Sequence, residues 1–152
     1  MKAIRNFEEF IKEKIVKEQL PDKSRADFLI KEAKTSYALL KKKIKLLKIS
    51  DETANDIVKS CYDILMELIR AKMLIEGYNA TGQGSHEAEV AYMRILGFDE
   101  KDVQFADQLR FFRNGMLYYG TSLDKEYAKK VVEFTNYIYS KLNTIIGKKL
   151  QN

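Results

Sequence analysis

A single proline and seven glycines are the only strong helix breakers in 152 residues. A chain with so little punctuation folds into long, uninterrupted elements. The apolar spacing decides what those elements are. Ile30, Ala33, Tyr37, Leu40, Ile44 and Leu47 recur at steps of three and four. Ile57, Cys61, Ile64, Leu65, Leu68, Ala71 and Ile75 follow the same rhythm, as do Ala88, Ala91, Tyr92 and Ile95. Phe105, Leu109, Phe112, Met116 and Tyr119 form a fourth set, and Tyr127, Val131, Phe134, Ile138, Leu142 and Ile145 a fifth. No run of five or more residues alternates as a half-buried strand does. The spacing predicts an all-α chain.

Start and stop signals divide it into about six helices. The first spans roughly Asn6 to Glu18, before the break at Leu20-Pro21-Asp22. Ser24 is placed to cap a second helix running to about Leu47, and Ser50 a third ending near Gly77. Ser85 is placed to cap a short helix to Leu96, with Gly97 as its C′ residue. Asp99 precedes a fifth helix that Gly120 ends, and Thr121 or Ser122 a sixth running to about Ile146 before Gly147. Long helices on short connections pack as an antiparallel bundle, here read as one domain over 1–152.

Composition excludes several function classes. At 45% apolar residues the chain is too hydrophobic for a disordered one. One Cys makes no internal disulfide, and one Cys with one His makes no closed zinc site, so no metal or other cofactor is expected. No apolar run approaches a membrane span, and Met1–Arg5 leads straight into charged sequence, which points to the cytoplasm. The net charge of +5 is uneven: residues 1–50 hold 14 cationic and 7 anionic side chains, 51–100 hold 4 and 10, and 101–152 hold 9 and 5. The densest run, Lys41, Lys42, Lys43, Lys45 and Lys48, points several ways around a helix and reads first as a solvated helix end. Alternating basic and acidic thirds also suit self-association or an acidic partner surface.

Candidate chemistry is sparse. The loop Gly77–Ser85 is glycine-rich but lacks the Lys-Ser/Thr pair of a phosphate loop, and reads as an inter-helix connection. Cys61 lies on an apolar stripe and reads as core, and His86 reads as a helix-start residue with a possible part in a site. One segment concentrates ligand-binding side chains: Leu109-Arg110-Phe111-Phe112-Arg113-Asn114-Gly115-Met116-Leu117-Tyr118-Tyr119-Gly120. Arg110 and Arg113 are three residues apart and can meet around one ligand. Guanidinium groups bind phosphate bidentately, and tyrosine rings stack on bases. Arg110, Arg113, Asn114, Tyr118 and Tyr119 are therefore the candidate nucleotide- or RNA-binding residues. The plainer alternative makes the arginines surface cations and the tyrosines filler at the bundle end.

The helix Gln108–Tyr119, with its Arg113-Asn114 step and Tyr118-Tyr119-Gly120 ending, resembles the signature helix of the HEPN superfamily of small all-α bundle proteins. Ser85–Tyr92 resembles the helix preceding it, and Leu123–Ile146 the long helix following it. The likeness covers roughly residues 50–146, with 1–49 as additional N-terminal helices. Active HEPN proteins are metal-independent ribonucleases whose Arg is followed, four to six residues on, by a His. Here Tyr118 stands where that His would be, and no His follows Arg113. A tyrosine is a poor general base at neutral pH. The resemblance thus implies a non-catalytic HEPN-type protein, a homodimer that binds nucleotide or RNA or partners a minimal nucleotidyltransferase in a toxin–antitoxin-like module. In some such pairs the transferase adds AMP to a Tyr just beyond the His. Tyr118 and Tyr119 lie near that place, and Gly120 occupies it. The alternative is a ribonuclease toxin using an altered Arg113–Tyr118 site. Those residues lie about 140° apart on an intact helix, so they converge only if the helix distorts near Gly115 or a second protomer contributes.

Overall fold

The computed structural model describes residues 3–118 and 122–151, the side chains of 116–118 and 149–151 excepted. Six helices and two short strands follow one another across them: α1 (Phe7–Lys12), β1 (Val16–Glu18), α2 (Lys23–Leu47), α3 (Ala54–Ile75), β2 (Tyr78–Ala80), α4 (Ser85–Ile95), α5 (Glu100–Tyr118) and α6 (Lys125–Gln151). The result is an all-α bundle, as the spacing predicts.

Helix α3 is its axis. Fifteen of its 22 residues are buried, all but a narrow stripe through Asp56, Lys59, Asp63, Glu67 and Arg70, so it must be enclosed on most sides. Helix α2 buries only Ala26, Ala33 and Leu40, and so lays one face on α3. The Asp22 amide donates to the Leu74 carbonyl at one end, and Lys43 Nζ meets Asp56 Oδ2 at 2.6 Å at the other, so the two helices are antiparallel. Helix α6 also packs on α3. Asn55 Oδ1 accepts from the Leu123 amide at 2.7 Å, and farther along the Cys61 thiol faces the Thr135 hydroxyl, so these two run the same way. Helices α4 and α5 make that return possible. Phe105 packs on Phe134 and Phe112 on Tyr127, which sets α5 antiparallel to α6. Cys61 is wholly buried, and burial pushes its thiol up to about 11, which fits a core residue and not a nucleophile. No helix among the described residues is long and apolar enough to cross a membrane.

Several boundaries differ from the sequence expectation. The first helix stops at Lys12, not Glu18, because Lys14 takes a positive φ of 62° and the chain then enters β1. Strand β1 pairs antiparallel with β2, Val16 opposite Ala80 and Glu18 opposite Tyr78, so the start of the Gly77–Ser85 connection is strand. Gly77 permits the turn: at φ +87° a Cβ there would lie 2.5 Å from the Gln19 carbonyl oxygen. Asp22, not Ser24, caps α2, accepting from the Arg25 amide. Helix α3 starts after Thr53, whose hydroxyl donates to the Lys48 carbonyl, and Ser50 Oγ accepts from the Thr53 amide in the preceding turn. Gly84 holds the N-cap position expected of Ser85. Asp124 caps α6, accepting from the Tyr127 amide at 2.8 Å, in place of Ser122. Thr121, the other candidate, and Gly120 lie outside the described residues. Helix α6 also continues through Gly147 to Gln151. One glycine costs a helix only about 1 kcal/mol, and the flanking residues outweigh it.

Candidate anion-binding cleft between α4 and α5

The suspect segment of α5 divides between two faces. Leu109 is buried and Phe112 half-buried against Tyr127, while Phe111 is exposed. Arg110 and Asn114 are four residues apart, one above the other, and both face an open cleft of about 580 Å³. Arg113 does not line it. Its guanidinium turns toward α3, with Nε 3.6 Å from Asp63 Oδ1, and Nε and Nη1 are buried without a hydrogen-bond partner among the described residues. Arg110 and Arg113 therefore take different carboxylate partners, Asp107 and Asp63, and only Arg110 lines the cleft. Helix α5 also stays helical across Gly115 to Tyr118, so Arg113 and Tyr118 remain about 140° apart within one chain. The Tyr118 side chain and all of Tyr119 lie outside the described residues.

Arg110 is aimed by a buried partner. Its Nε donates to Asp107 Oδ1 at 2.7 Å, and Asp107 is almost wholly enclosed. Opposite stands the first turn of α4, with His86 on the cleft wall. The imidazole is 58% exposed, and its Nδ1 lies 3.1 Å from Oε1 of Glu89, which is 2% exposed. Arg70 of α3 grips the same carboxylate with two bonds, Nε to Oε2 at 2.6 Å and Nη2 to Oε1 at 3.1 Å. Burial by itself would raise the Glu89 pKa. The bonds from His86 and Arg70 overcome that and hold it below the ordinary value, so Glu89 is an anion. An anionic acceptor at Nδ1 fixes Nδ1 as the protonated nitrogen and leaves Nε2 for the cleft. Beneath this wall lies the Tyr62 hydroxyl, buried without a partner among the described residues, and burial raises its pKa strongly.

The third wall comes from the chain's start. Arg94 Nη1 donates to the carbonyls of Ile4 and Arg5, at 3.1 and 3.0 Å, and clamps the N-terminal arm to α4. Glu100 fixes Arg94 in turn, through bonds of 2.8 and 2.6 Å. The Arg5 guanidinium then lies over the Phe10 ring, paired with Glu13 at 2.8 Å and Glu87 at 3.6 Å, at the cleft edge. Pairing of β1 with β2 carries Ile15 against Gly84, whose φ of +89° starts α4 so that its first turn opens on the cleft. Two guanidinium groups, two amide side chains, an imidazole and a helix N-terminus thus line one volume together with the Glu87 carboxylate that pairs with Arg5, which suits an anion with further hydrogen-bonding groups able to compete for Arg5 and Arg110.

Of the five sequence candidates, Arg110 and Asn114 line the cleft, whereas Arg113 faces Asp63 and does not. Sequence reading missed Arg5 and did not connect His86 to Arg110. The i, i+3 spacing of His86 and Glu89 on one helix face was a usable signal for the His–carboxylate pair, whereas nothing local marks Arg5. The lysine run of α2 stays dispersed, with Lys41 over the Tyr37 ring and Lys43 on Asp56. In comparisons with known proteins, no protein family, no characterised sequence and no solved structure matches this chain.

Proposed function

We propose that this chain is a HEPN-type protein that holds an RNA phosphodiester or a nucleotide in the α4–α5 cleft without cleaving it. In this reading it works in the cytoplasm, as partner to a minimal nucleotidyltransferase in a toxin–antitoxin-like module. The observation that carries the ligand half is the convergence of Arg110 and Asn114 with Arg5 and His86 around one open cleft. Arg110 supplies a phosphate fork already oriented by Asp107, so little side-chain entropy is lost on binding. Asn114 offers a donor and an acceptor to a base edge or a ribose hydroxyl.

One observation favours a second reading, a metal-independent endoribonuclease: the Glu89–His86 couple faces the cleft that Arg110 lines. There His86 Nε2 would take the proton of a ribose 2′-hydroxyl as its oxygen attacks phosphorus, and Arg110 would neutralise the phosphorane. The 5′-oxygen would then leave and take up a proton.

Incubation of the protein with labelled single-stranded RNA in EDTA tests both. The binding reading expects retention of intact RNA, loss of affinity of about tenfold or more in Arg110→Ala, and little change in Arg113→Ala. Equal affinity of wild type and Arg110→Ala contradicts it. RNA cleavage that vanishes in His86→Ala replaces the first reading with the second.

A further inference from the structure

A carboxylate stands among the cations of the α4–α5 cleft. Glu87, in the first turn of α4, lines it beside His86, and its side chain is 24% exposed. A first-turn glutamate suits the positive end of its helix, but a side chain turned away from the cleft would serve that end equally well. Here Oε2 lies 3.6 Å from Arg5 Nη2, at the cleft edge. Arg5 does not depend on this contact. Its Nη1 donates to both oxygens of Glu13, at 2.9 and 2.8 Å, and its guanidinium lies over the Phe10 ring. A carboxylate accepts at about four lone-pair positions, so one long ion pair leaves Glu87 able to take donors from a ligand.

The charges of the cleft limit what that ligand can be. Two cations and one anion line it, and Glu13 and Asp107 offset part of the cationic charge from outside the cleft. A group with several adjacent phosphates, such as a triphosphate, would set one of them against Glu87 and be repelled. A single phosphate on Arg110 suits the balance, provided that a hydrogen-bond donor faces Glu87. The other contributions are neutral: the Gln83 and Asn114 amides, each both donor and acceptor, and the Ile15 side chain.

We infer that the cleft selects ribonucleotides over deoxyribonucleotides, Glu87 accepting from the ribose 2′-hydroxyl while Arg110 holds the phosphate. This rests on the nucleotide reading above and adds to it the sugar that the site takes. A nucleotide carries its phosphate and its 2′-hydroxyl at different corners of one sugar. Arg110 on α5 and Glu87 on α4 offer the matching cation and acceptor from facing walls. A deoxyribose presents only C–H at that corner, so the carboxylate would lose water without gaining a donor. The 2′-hydroxyl is the group by which a protein tells RNA from DNA.

Affinities of the full chain for a short oligoadenylate, made as RNA, as DNA and as 2′-fluoro RNA, test this. AMP against dAMP forms a second pair. The 2′-fluoro strand keeps the ribose pucker and lacks the donor. RNA is expected to bind about tenfold or more tightly than DNA, with the 2′-fluoro strand following DNA. Glu87→Ala is expected to bring all three together, at or above the wild-type DNA affinity, which also shows its cleft to be intact. A ribose preference confined to the mononucleotides supports the inference with a free ribonucleotide as ligand; one in the strands supports it with RNA. Equal binding of ribose and deoxyribose forms in both pairs overturns the inference and leaves the cleft a phosphate site. A preference that survives Glu87→Ala, or an equal loss of RNA and DNA affinity in that variant, also overturns it. Binding of neither strand nor mononucleotide overturns the nucleotide reading itself, and this inference with it.

Discussion

Glu89 is the residue that joins the core to the cleft. It is buried, and its charge is held by Arg70 from α3 and by His86 from its own helix. Replacing it by Gln leaves Arg70, a mostly enclosed cation, without its counter-charge. Glu89→Gln should therefore lower unfolding stability by about 2 kcal/mol, read as a shift in the urea midpoint with unchanged slope. The effect has a definite pH sign. The folded pKa is lowered below the ordinary 4.5, so the stability Glu89 contributes is complete above that value and is lost as the pH falls through the lower folded one. The gap between wild type and Glu89→Gln should thus close in acid. A gap that persists there contradicts the ionised assignment. At this scale the sequence was half legible. Arg110 and Asn114 share a face because they are four apart, and that can be read directly. Arg113 was assigned to the same ligand because spacing alone does not say which side of α5 meets α3, and Asp63 holds it on that side. Arg5 reaches the cleft only because Arg94 grips the backbone some ninety residues earlier, which no local pattern records.

Among the elements, the long helices were readable and the short strands were not. A period of 3.6 residues is unmistakable over the 22 residues of α3, whereas three residues of strand carry no periodicity. What creates β1 is the left-handed turn at Lys14 and the partner strand placed by Gly77, both tertiary facts. Helix ends were read one to three residues away where two capping residues compete, as with Ser24 and Asp22. The strand pair and the α1 arm form one wall of the cleft, and two substitutions probe them separately. Gly77→Ala pushes a Cβ into the Gln19 carbonyl at a positive φ, and should cost about 1–3 kcal/mol in denaturant unfolding. A neutral Gly77→Ala would mean that the turn can relax. Arg94→Met releases the carbonyls of Ile4 and Arg5. It should speed amide exchange in residues 3–18 while leaving α3 protected. Uniform loss of protection would show instead that the arm is part of the global folding unit.

For the whole molecule, the uneven charge of the chain becomes a division of labour. The lysines of α2 lie on the outer helix, away from the two guanidinium groups that line the cleft. On the proposed reading, RNA binding through the cleft would engage few phosphates. With Arg5 and Arg110 as the cationic contacts, the slope of log affinity against log salt should be about −1.4 for a single strand, and a much steeper slope would implicate the α2 lysines. The central claim is that the ligand sits between Arg110 and His86. Because His86 is the only histidine in the chain, its imidazole proton resonances are unambiguous. Titration of the protein with a short single-stranded RNA, followed on those resonances, tests the claim most directly. The account predicts a saturable shift of the His86 signals that is lost in Arg110→Ala. Binding that saturates while the His86 signals stay still would contradict it.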